Sequence, residues 1–282
     1  MSSTKGKYIL GGGITGLAAA YYFEDYQVIS TPPHIPSLSE GPYYLHVSAL
    51  SSELLASLGL QIGTRTIQYG YLKGKRVEPP TTAVLSEYHQ RTYNRDMSPE
   101  YAAKHADGSH QIYEVTMEQL YQSLHAWCGD RIIGDEVLGI SEDRVRCRFA
   151  TYKASTIIST LPAPLMSKLR CKPLSYQYKP IHIAKAPADL FPVNIYDTDY
   201  EYLYLLDCKA HRITKWMEPW VVVESYLPLD LPGEKIFQYG KLVSAPVPWE
   251  GIPRVGRWAK WENGYLFKDA LKDIRELGAR GY

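Results

Sequence analysis

Gly11, Gly13 and Gly16 fill the three glycine places of G-x-G-x-x-G in Lys7-Tyr-Ile-Leu-Gly-Gly-Gly-Ile-Thr-Gly-Leu-Ala-Ala-Ala-Tyr-Tyr-Phe23. Glycines at this spacing do the chemistry of diphosphate binding. The first permits a tight turn, the second lets a pyrophosphate reach the backbone, and the third lets a helix pack closely on a strand. Ile14, Thr15 and Gly16 would begin that helix, whose N–H groups and positive dipole end face the phosphates. The motif alone is weak and needs its context. Residues 8–10 read as a short buried strand, 17–23 as a helix rich in small residues, and 26–30 as a second strand. A glycine-rich turn that binds nothing is the alternative, and the context weighs against it. The second strand ends in Ser30-Thr31-Pro32, where an acidic residue normally holds the adenosine ribose. Ser30 or Thr31 is left to make that bond.

Two further segments carry residues able to do chemistry. Glu40-Gly-Pro-Tyr-Tyr-Leu-His46 precedes an apolar pattern through Leu50, Leu54, Leu55 and Leu58. Val255-Gly-Arg-Trp-Ala-Lys-Trp261 precedes another through Phe267, Ala270, Leu271, Ile274 and Leu277. Steps of three and four keep each set on one helix face. With these segments the chain resembles the flavoprotein superfamily of UDP-galactopyranose mutase, protoporphyrinogen oxidase and the flavin amine oxidases. Gly41-Pro-Tyr-Tyr-Leu-His46 is similar to the mutase G-P-H-x-x-H, with Tyr43 replacing the first His. Gly256-Arg-Trp-Ala-Lys-Trp261 is similar to G-R-x-A-x-Y. Residues 71–79 resemble the family's Gly-Lys…Pro hairpin, and 101–104 its Y-T-x-K segment. Residues 157–164 look like the strand and turn that return to the cofactor.

The resemblance implies an α/β fold: a Rossmann-like FAD-binding domain interleaved with a smaller substrate domain of mostly antiparallel sheet and helices. It implies FAD as cofactor, with Thr160, Gly256 and Arg257 joining the glycine turn in holding it. It places His46 beside the isoalloxazine ring and Tyr43, Tyr44, Tyr101 and Trp261 around the substrate. The departures bear on the substrate. Mutases hold a sugar-nucleotide diphosphate with arginines, and one of these falls at Glu262 here. A carboxylate facing a diphosphate is repelled. The tyrosine pair and D-M-D that should follow are replaced by residues 263–267, and Lys104 is followed by His105 instead of tryptophan. The likeness therefore carries the fold and the flavin further than the sugar nucleotide.

Each candidate has a plainer alternative. His46 contacts the flavin and serves acid–base chemistry, its ordinary pKa of about 6.5 letting small shifts change its charge; otherwise it is a loop histidine bonded to a carbonyl. Arg257 offers a delocalised cation and an N–H fork to the flavin or its phosphates, or else forms a salt bridge at the domain seam. Trp258 and Trp261 stack beside the ring system or pack in the core. Glu262, as a second catalytic candidate, suits a cationic or hydrogen-bond-donating substrate, or is a solvated carboxylate at a helix start.

The elements that must position these residues are partly legible. Residues 1–72, 112–165 and 240–282 are expected to form the FAD-binding domain, and 73–111 with 166–239 the substrate domain. A helix is expected over 116–127, with Leu120, Leu124 and Trp127 on one face. Strands are expected within 131–140, 144–152, 200–207 and 220–226, while 173–187 has no clear periodicity. The chain carries 24 tyrosines against 5 phenylalanines, which either pack amphipathically on sheet faces or wall a pocket.

Composition narrows the class. A net charge of +1 gives no global pull towards nucleic acid or anionic membrane. The four cysteines form no C-x-x-C pair, which suits a reduced, cytoplasmic chain. Residues 1–7 lack an apolar signal core, and no apolar run approaches the roughly 20 residues that span a bilayer. No H-E-x-x-H, G-x-S-x-G or Walker motif is present, so a catalytic metal has no support in the sequence.

Three functions follow. The first is an FAD-dependent oxidoreductase, or a flavin-dependent lyase, acting on a C–N or adjacent C–H bond of an amine-type substrate. That partner would be a small molecule or a modified nucleotide. The second is a mutase-like sugar-nucleotide isomerase, and the third a flavin-binding protein without catalysis.

Overall fold

The computed structural model describes residues 5–31, 44–93, 96–171, 174–208, 210–242, 251–262 and 265–282. The chain opens with β1 (Gly6–Leu10), α1 (Ile14–Tyr22), β2 (Gln27–Ser30) and α2 (Ala49–Ser57). It continues through β3 (Thr64–Lys73), β4 (Arg76–Glu78), α3 (Thr82–Tyr93), α4 (Pro99–His105) and β5 (Ser109–Tyr113). Next come α5 (Met117–Cys128), β6 (Ile132–Gly134), β7 (Val137–Ile140), β8 (Arg144–Cys147), β9 (Thr151–Ser159) and α6 (Ala163–Leu169). The last part holds β10 (Tyr178–Pro187), β11 (Tyr202–Leu205), β12 (Ala210–Met217), β13 (Trp220–Ser225), β14 (Lys235–Leu242), α7 (Arg257–Lys260) and α8 (Phe267–Ala279).

These strands build two sheets. The first has six strands in the order β6-β2-β1-β9-β8-β7. β6, β2, β1 and β9 run parallel, and β9, β8 and β7 pair antiparallel. In register, Leu10 lies between Ile29 and Ser159, so β1, β2 and β9 end at one edge. A parallel sheet with helical crossovers binds ligands beyond such a carboxyl edge. The arrangement is the Rossmann-like α/β fold that the sequence implies.

α1 sits in the core of this half. Its Gly16, Leu17, Ala18, Ala19 and Ala20 are buried between the sheet, α5 and α8, and the small residues let the backbones approach. α5 starts from a capping box: Thr116 Oγ1 accepts from Gln119 N at 3.1 Å, and Gln119 Oε1 accepts from Thr116 N at 2.9 Å. Leu120 and Leu124 are fully buried, while Trp127 stays at the rim against Tyr21. α8 buries Ala270, Leu271 and Ile274 as its spacing predicts, and Asp269 caps it by accepting from Leu266 N at 2.8 Å. Truncating a fully buried leucine here would cost about 2–5 kcal/mol.

The second sheet has eight strands, β14-β10-β13-β12-β11-β3-β4, with β5 also paired to β3. All its pairings are antiparallel except β3 with β11, where Tyr69 faces Tyr202 and Tyr71 faces Tyr204. Alternation along the strands sorts its two faces. Leu72, Leu203, Leu205, Ile213, Val221 and Val223 form one apolar layer. Tyr69, Tyr71 and Tyr202 lie on the other, under Val84, Leu85 and Tyr88 of α3 and Tyr101 of α4.

β10 emerges where the sequence has no periodicity. Pro180 sits at the register shift between Lys179 and Ile181, and proline enters a central strand only at such an irregularity. That interruption masks the alternation. The hairpin expected around residues 71–79 is present as β3 and β4. No helix among the described residues is long and apolar enough to cross a membrane.

Candidate functional site

The glycine turn is built by backbone contacts that exclude side chains. Gly11 has φ +103°, and its N–H donates to the Ile29 carbonyl at 2.9 Å. A Cβ on Gly16 would lie 1.9 Å from the Gly11 carbonyl oxygen, so α1 packs on the turn only as glycine. A Cβ on Gly12 would lie 2.5 Å from Ser30 Oγ. Gly13 differs: it is exposed, and among the described residues nothing stands within 4 Å of the place its Cβ would take. Gly13 caps α1 without a side-chain hydrogen bond, and the first turn of α1 carries no acidic residue. Ile14, Thr15 and Gly16 thus open a helix whose amide end lies beside backbone that no described side chain covers, the arrangement that holds a diphosphate.

Thr160 braces this turn. Its Oγ1 donates towards the carbonyls of Leu10, at 3.0 Å, and Gly11, at 3.1 Å. The C-terminal segment then extends the same edge. Ser159 N donates to the Pro253 carbonyl at 2.9 Å, and Val255 N to the Ser159 carbonyl at 3.0 Å. Gly256, at φ +100°, places its Cα against Thr15: a Cβ there would meet the threonine side chain at 3.2–3.5 Å. Arg257 follows at once, half-buried at the start of α7. Sequence positions far apart thereby meet at one carboxyl edge.

Beside the turn lies a small, partly open hollow whose wall includes Gly12, Ser30, Thr31, Tyr121, His125 and Gly134. Ser30 Oγ donates to the Thr31 carbonyl at 2.9 Å. Tyr121 and His125 were not legible as site residues. They are one helical turn apart on α5, and the crossover from β5 to β6 swings them over β2. The nearby carboxylate of Asp135 turns away, accepting from the N–H groups of Glu136 at 2.8 Å and Arg148 at 3.1 Å.

His46 lies elsewhere, at the margin of the second sheet, where it bridges Ile112 of β5. Its ring meets His110 edge-on at 5.1 Å, and His110 stacks on Tyr69 at 4.9 Å. Tyr44 donates to Glu201 Oε1 at 3.1 Å, and Arg65 Nη2 holds the same oxygen at 3.1 Å. Tyr101 stacks on His105 at 4.1 Å. Further in, Tyr202 lies parallel to Tyr69 at 5.2 Å, and Arg212 rests over Tyr202 while pairing with Glu224 at 2.8 Å. The array ends where Tyr88 and Tyr226 both reach Nε2 of His211, at 3.3 and 3.2 Å.

Burial sets the charge states here. It pushes the Tyr44 phenol well above its usual range, with the Glu201 carboxylate adding to the effect. Burial does the same to Tyr69 and Tyr202, with Tyr204 contributing. These phenols stay protonated; Tyr44 donates to Glu201 and Tyr69 to the His105 carbonyl. Burial alone would lower the Arg212 guanidinium, but Glu224 and Tyr204 beside it raise it above its ordinary value.

The structure therefore brings Gly11, Gly13, Ile14, Thr15, Gly16, Ser30, Thr31, Thr160, Gly256 and Arg257 to one edge, and His46, Tyr44 and Tyr101 to one ring array. Tyr43 lies outside the described residues. Trp261 is fully buried at φ +58°, packed between Tyr176 at 4.9 Å and Tyr178 at 5.9 Å. Of the two arrangements open to it, the ring takes the core one. Glu262 is exposed in the turn after α7.

No protein-family model matches the chain, and no curated protein is similar to it in sequence. Solved structures are similar over its whole length. A putative protoporphyrinogen oxidase from Exiguobacterium sp. superposes with TM-score 0.66 at 14% identity, covering 99% of this chain and 98% of that one. Reduced UDP-galactopyranose mutase superposes with TM-score 0.65 at 11% identity, over 99% of this chain and 96% of that one. A triple mutant of putrescine oxidase with redesigned cofactor binding gives TM-score 0.58 at 11% identity, over 98% and 99%. The chain shares their fold.

Proposed function

We propose that the chain is an FAD-dependent oxidoreductase acting on a C–N bond, or an adjacent C–H bond, of an amine-type substrate. A flavin-dependent lyase, in which oxidation leads to cleavage, falls within the same reading, and the substrate is free or part of a larger molecule such as a modified nucleobase. One observation carries the proposal: Gly256, just ahead of Arg257, rests on Thr15 of the glycine turn. A bare dinucleotide-binding motif needs no such closure from the far end of the chain.

FAD, when bound, supplies a hydride acceptor at its flavin N5. The residues present fit it. The open backbone at Gly13 and the amide end of α1 would hold the diphosphate, and Ser30 and Thr31 the ribose. Arg257 would set a cation at the flavin end. His46 would lie by the ring system, with Tyr44 and Tyr101 as walls that orient the donor carbon. An amine must be neutral to react. The Tyr44 and Tyr69 phenols are held protonated, so in this reading the imidazole of His46 takes the proton. The exposed Glu262 offers no clamp for a diphosphate, which favours an amine over a sugar nucleotide.

The test is spectroscopic. The purified chain is scanned in the visible, its cofactor released and identified, and its anaerobic bleaching followed with amines and with UDP-sugars. Bleaching by an amine supports the proposal. Turnover of a UDP-sugar by the reduced protein would replace it with a mutase-like isomerase. A bound flavin that neither class reduces or consumes points to a non-catalytic flavin protein.

A further inference from the structure

We propose that the tyrosine–histidine array is a hole relay, carrying a one-electron oxidation from the His46 end of the second sheet to Tyr88 or Tyr226 at His211. The rings form an unbroken path. Centroids lie 5.1 Å apart from His46 to His110, 4.9 Å from His110 to Tyr69, and 6.0 Å from Tyr69 to Tyr204. Tyr204 to Tyr88 is 4.5 Å, Tyr88 to His211 is 5.5 Å, and His211 to Tyr226 is 4.6 Å. Imidazole is a poor electron donor, so the histidines bridge while the phenols carry the hole.

Where the hole stops is a question of bases. An oxidised phenol is a strong acid and persists only if something accepts its proton. Tyr69 donates to the backbone carbonyl of His105, which cannot be protonated usefully. Tyr88 and Tyr226 instead share Nε2 of His211. Tyr44 also has a base, Glu201, but that carboxylate is held by Arg65. Glu is also a weaker base than imidazole by about two pKa units. His211 is therefore the sink.

The step balances. Tyr226 loses one electron to the oxidant and its phenol proton to His211, leaving a neutral phenoxyl radical beside an imidazolium. Return of the electron and the proton restores both residues, and no atom is lost. The oxidant class is a photoexcited flavin; that part rests on the proposed function, whereas the relay itself does not. Its use would be to drain oxidising equivalents away from the substrate pocket.

The experiment supplies its own oxidant, so the two ideas fail separately. The full chain is flashed with tris(bipyridine)ruthenium(II) and persulfate in the presence of a nitroso spin trap. The tyrosyl radical is followed by absorbance and electron paramagnetic resonance, and the adducts are mapped by peptide mass spectrometry. Adducts are expected on Tyr226 or Tyr88. In His211→Gln the radical should decay roughly tenfold faster, equivalent to about 1.4 kcal/mol in the barrier. Tyr204→Phe combined with Tyr71→Phe, which also closes the side path from Tyr69 through Tyr71 to Tyr88 at 6.3 and 5.6 Å, should redirect adducts towards Tyr44 and surface tyrosines, and Tyr226→Phe should shift them to Tyr88. Should His211→Gln not fold, the two phenylalanine variants decide the matter alone. Adducts confined to exposed tyrosines, or a pattern and lifetime that these substitutions leave unchanged, would overturn the relay. A chain that takes up no FAD on titration yet still traps the radical at Tyr226 would sink the proposed function and keep the relay.

Discussion

Gly13→Ala and Gly16→Ala form a matched pair that separates binding from folding. At Gly16 the new methyl would lie 1.9 Å from a backbone carbonyl and 3.0 Å from Thr160 Oγ1. Backbone cannot swing aside as a flexible side chain does, so the strain falls at the upper end of overpacking, about 3 kcal/mol. For a chain of this size that corresponds to a melting temperature lower by roughly 6–12 °C. At Gly13 the methyl meets nothing within 4 Å among the described residues, and φ −71° with ψ 174° is backbone any residue adopts. The folding cost is then only the poorer cap, about 1 kcal/mol or less. The same methyl stands where a diphosphate must approach. Loss of one charge-assisted bond to a backbone N–H is worth about 2 kcal/mol, or roughly 30-fold in Kd for FAD. Calorimetry of the cofactor-free proteins and flavin-fluorescence titration read the two effects independently. Equal loss of stability in both variants, or full FAD affinity in Gly13→Ala, would refute the assignment.

Other outcomes follow from the packing and the charges. Trp261→Ala should cost about 3–5 kcal/mol in denaturant unfolding, as for a fully buried ring; a change in substrate KM without loss of stability would return Trp261 to the substrate. The Glu234 carboxyl is held below its ordinary value by its bond to His182, at 2.5 Å, and by the N–H groups of Leu229 and Asp230. A depressed carboxyl stabilises the fold above its unfolded pKa, and that contribution fades as pH falls through the folded value. Glu234→Gln should therefore flatten the stability profile below about pH 4.5, as read by melting at stepped pH. Alkylation should distinguish the thiols. Exposed Cys171 reacts at pH 8, while buried Cys128 and Cys147 stay silent until unfolding, burial pushing the Cys147 thiol to about 11; peptide mapping checks this.

Local signals carried much of the first sheet. The glycine spacing forms the turn, the small-residue run buries Leu17 to Ala20, and the apolar steps from Phe267 to Leu277 bury Ala270, Leu271 and Ile274 with the two end residues half-buried, because helix and turn depend on near neighbours. The second sheet obeyed other rules. Pro180 hid β10, whose place is fixed by β13 and β14 rather than by its own pattern. The ring array arises because β3 pairs parallel to β11, more than a hundred residues away, in one register. A shift of one residue would turn Tyr202 and Tyr204 to the opposite face. Tyr69-Gly-Tyr71 and Tyr202-Leu-Tyr204 are each visible in the sequence, but no local feature says they stack. Tyr121 and His125 were hidden for the same reason: only the crossover brings α5 over β2.

The docking of Val255 on Ser159 and of Gly256 on Thr15 has a bearing on biosynthesis. A ribosome that has released only the first 250 residues has already made the glycine turn and most of both sheets, yet the segment that docks on Ser159 and Thr15 is still missing. Domains fold as their segments emerge, so coenzyme loading is expected to wait for the carboxyl-terminal stretch. Nascent chains stalled before and after residue 260 would then differ in flavin retention far more than in their content of secondary structure.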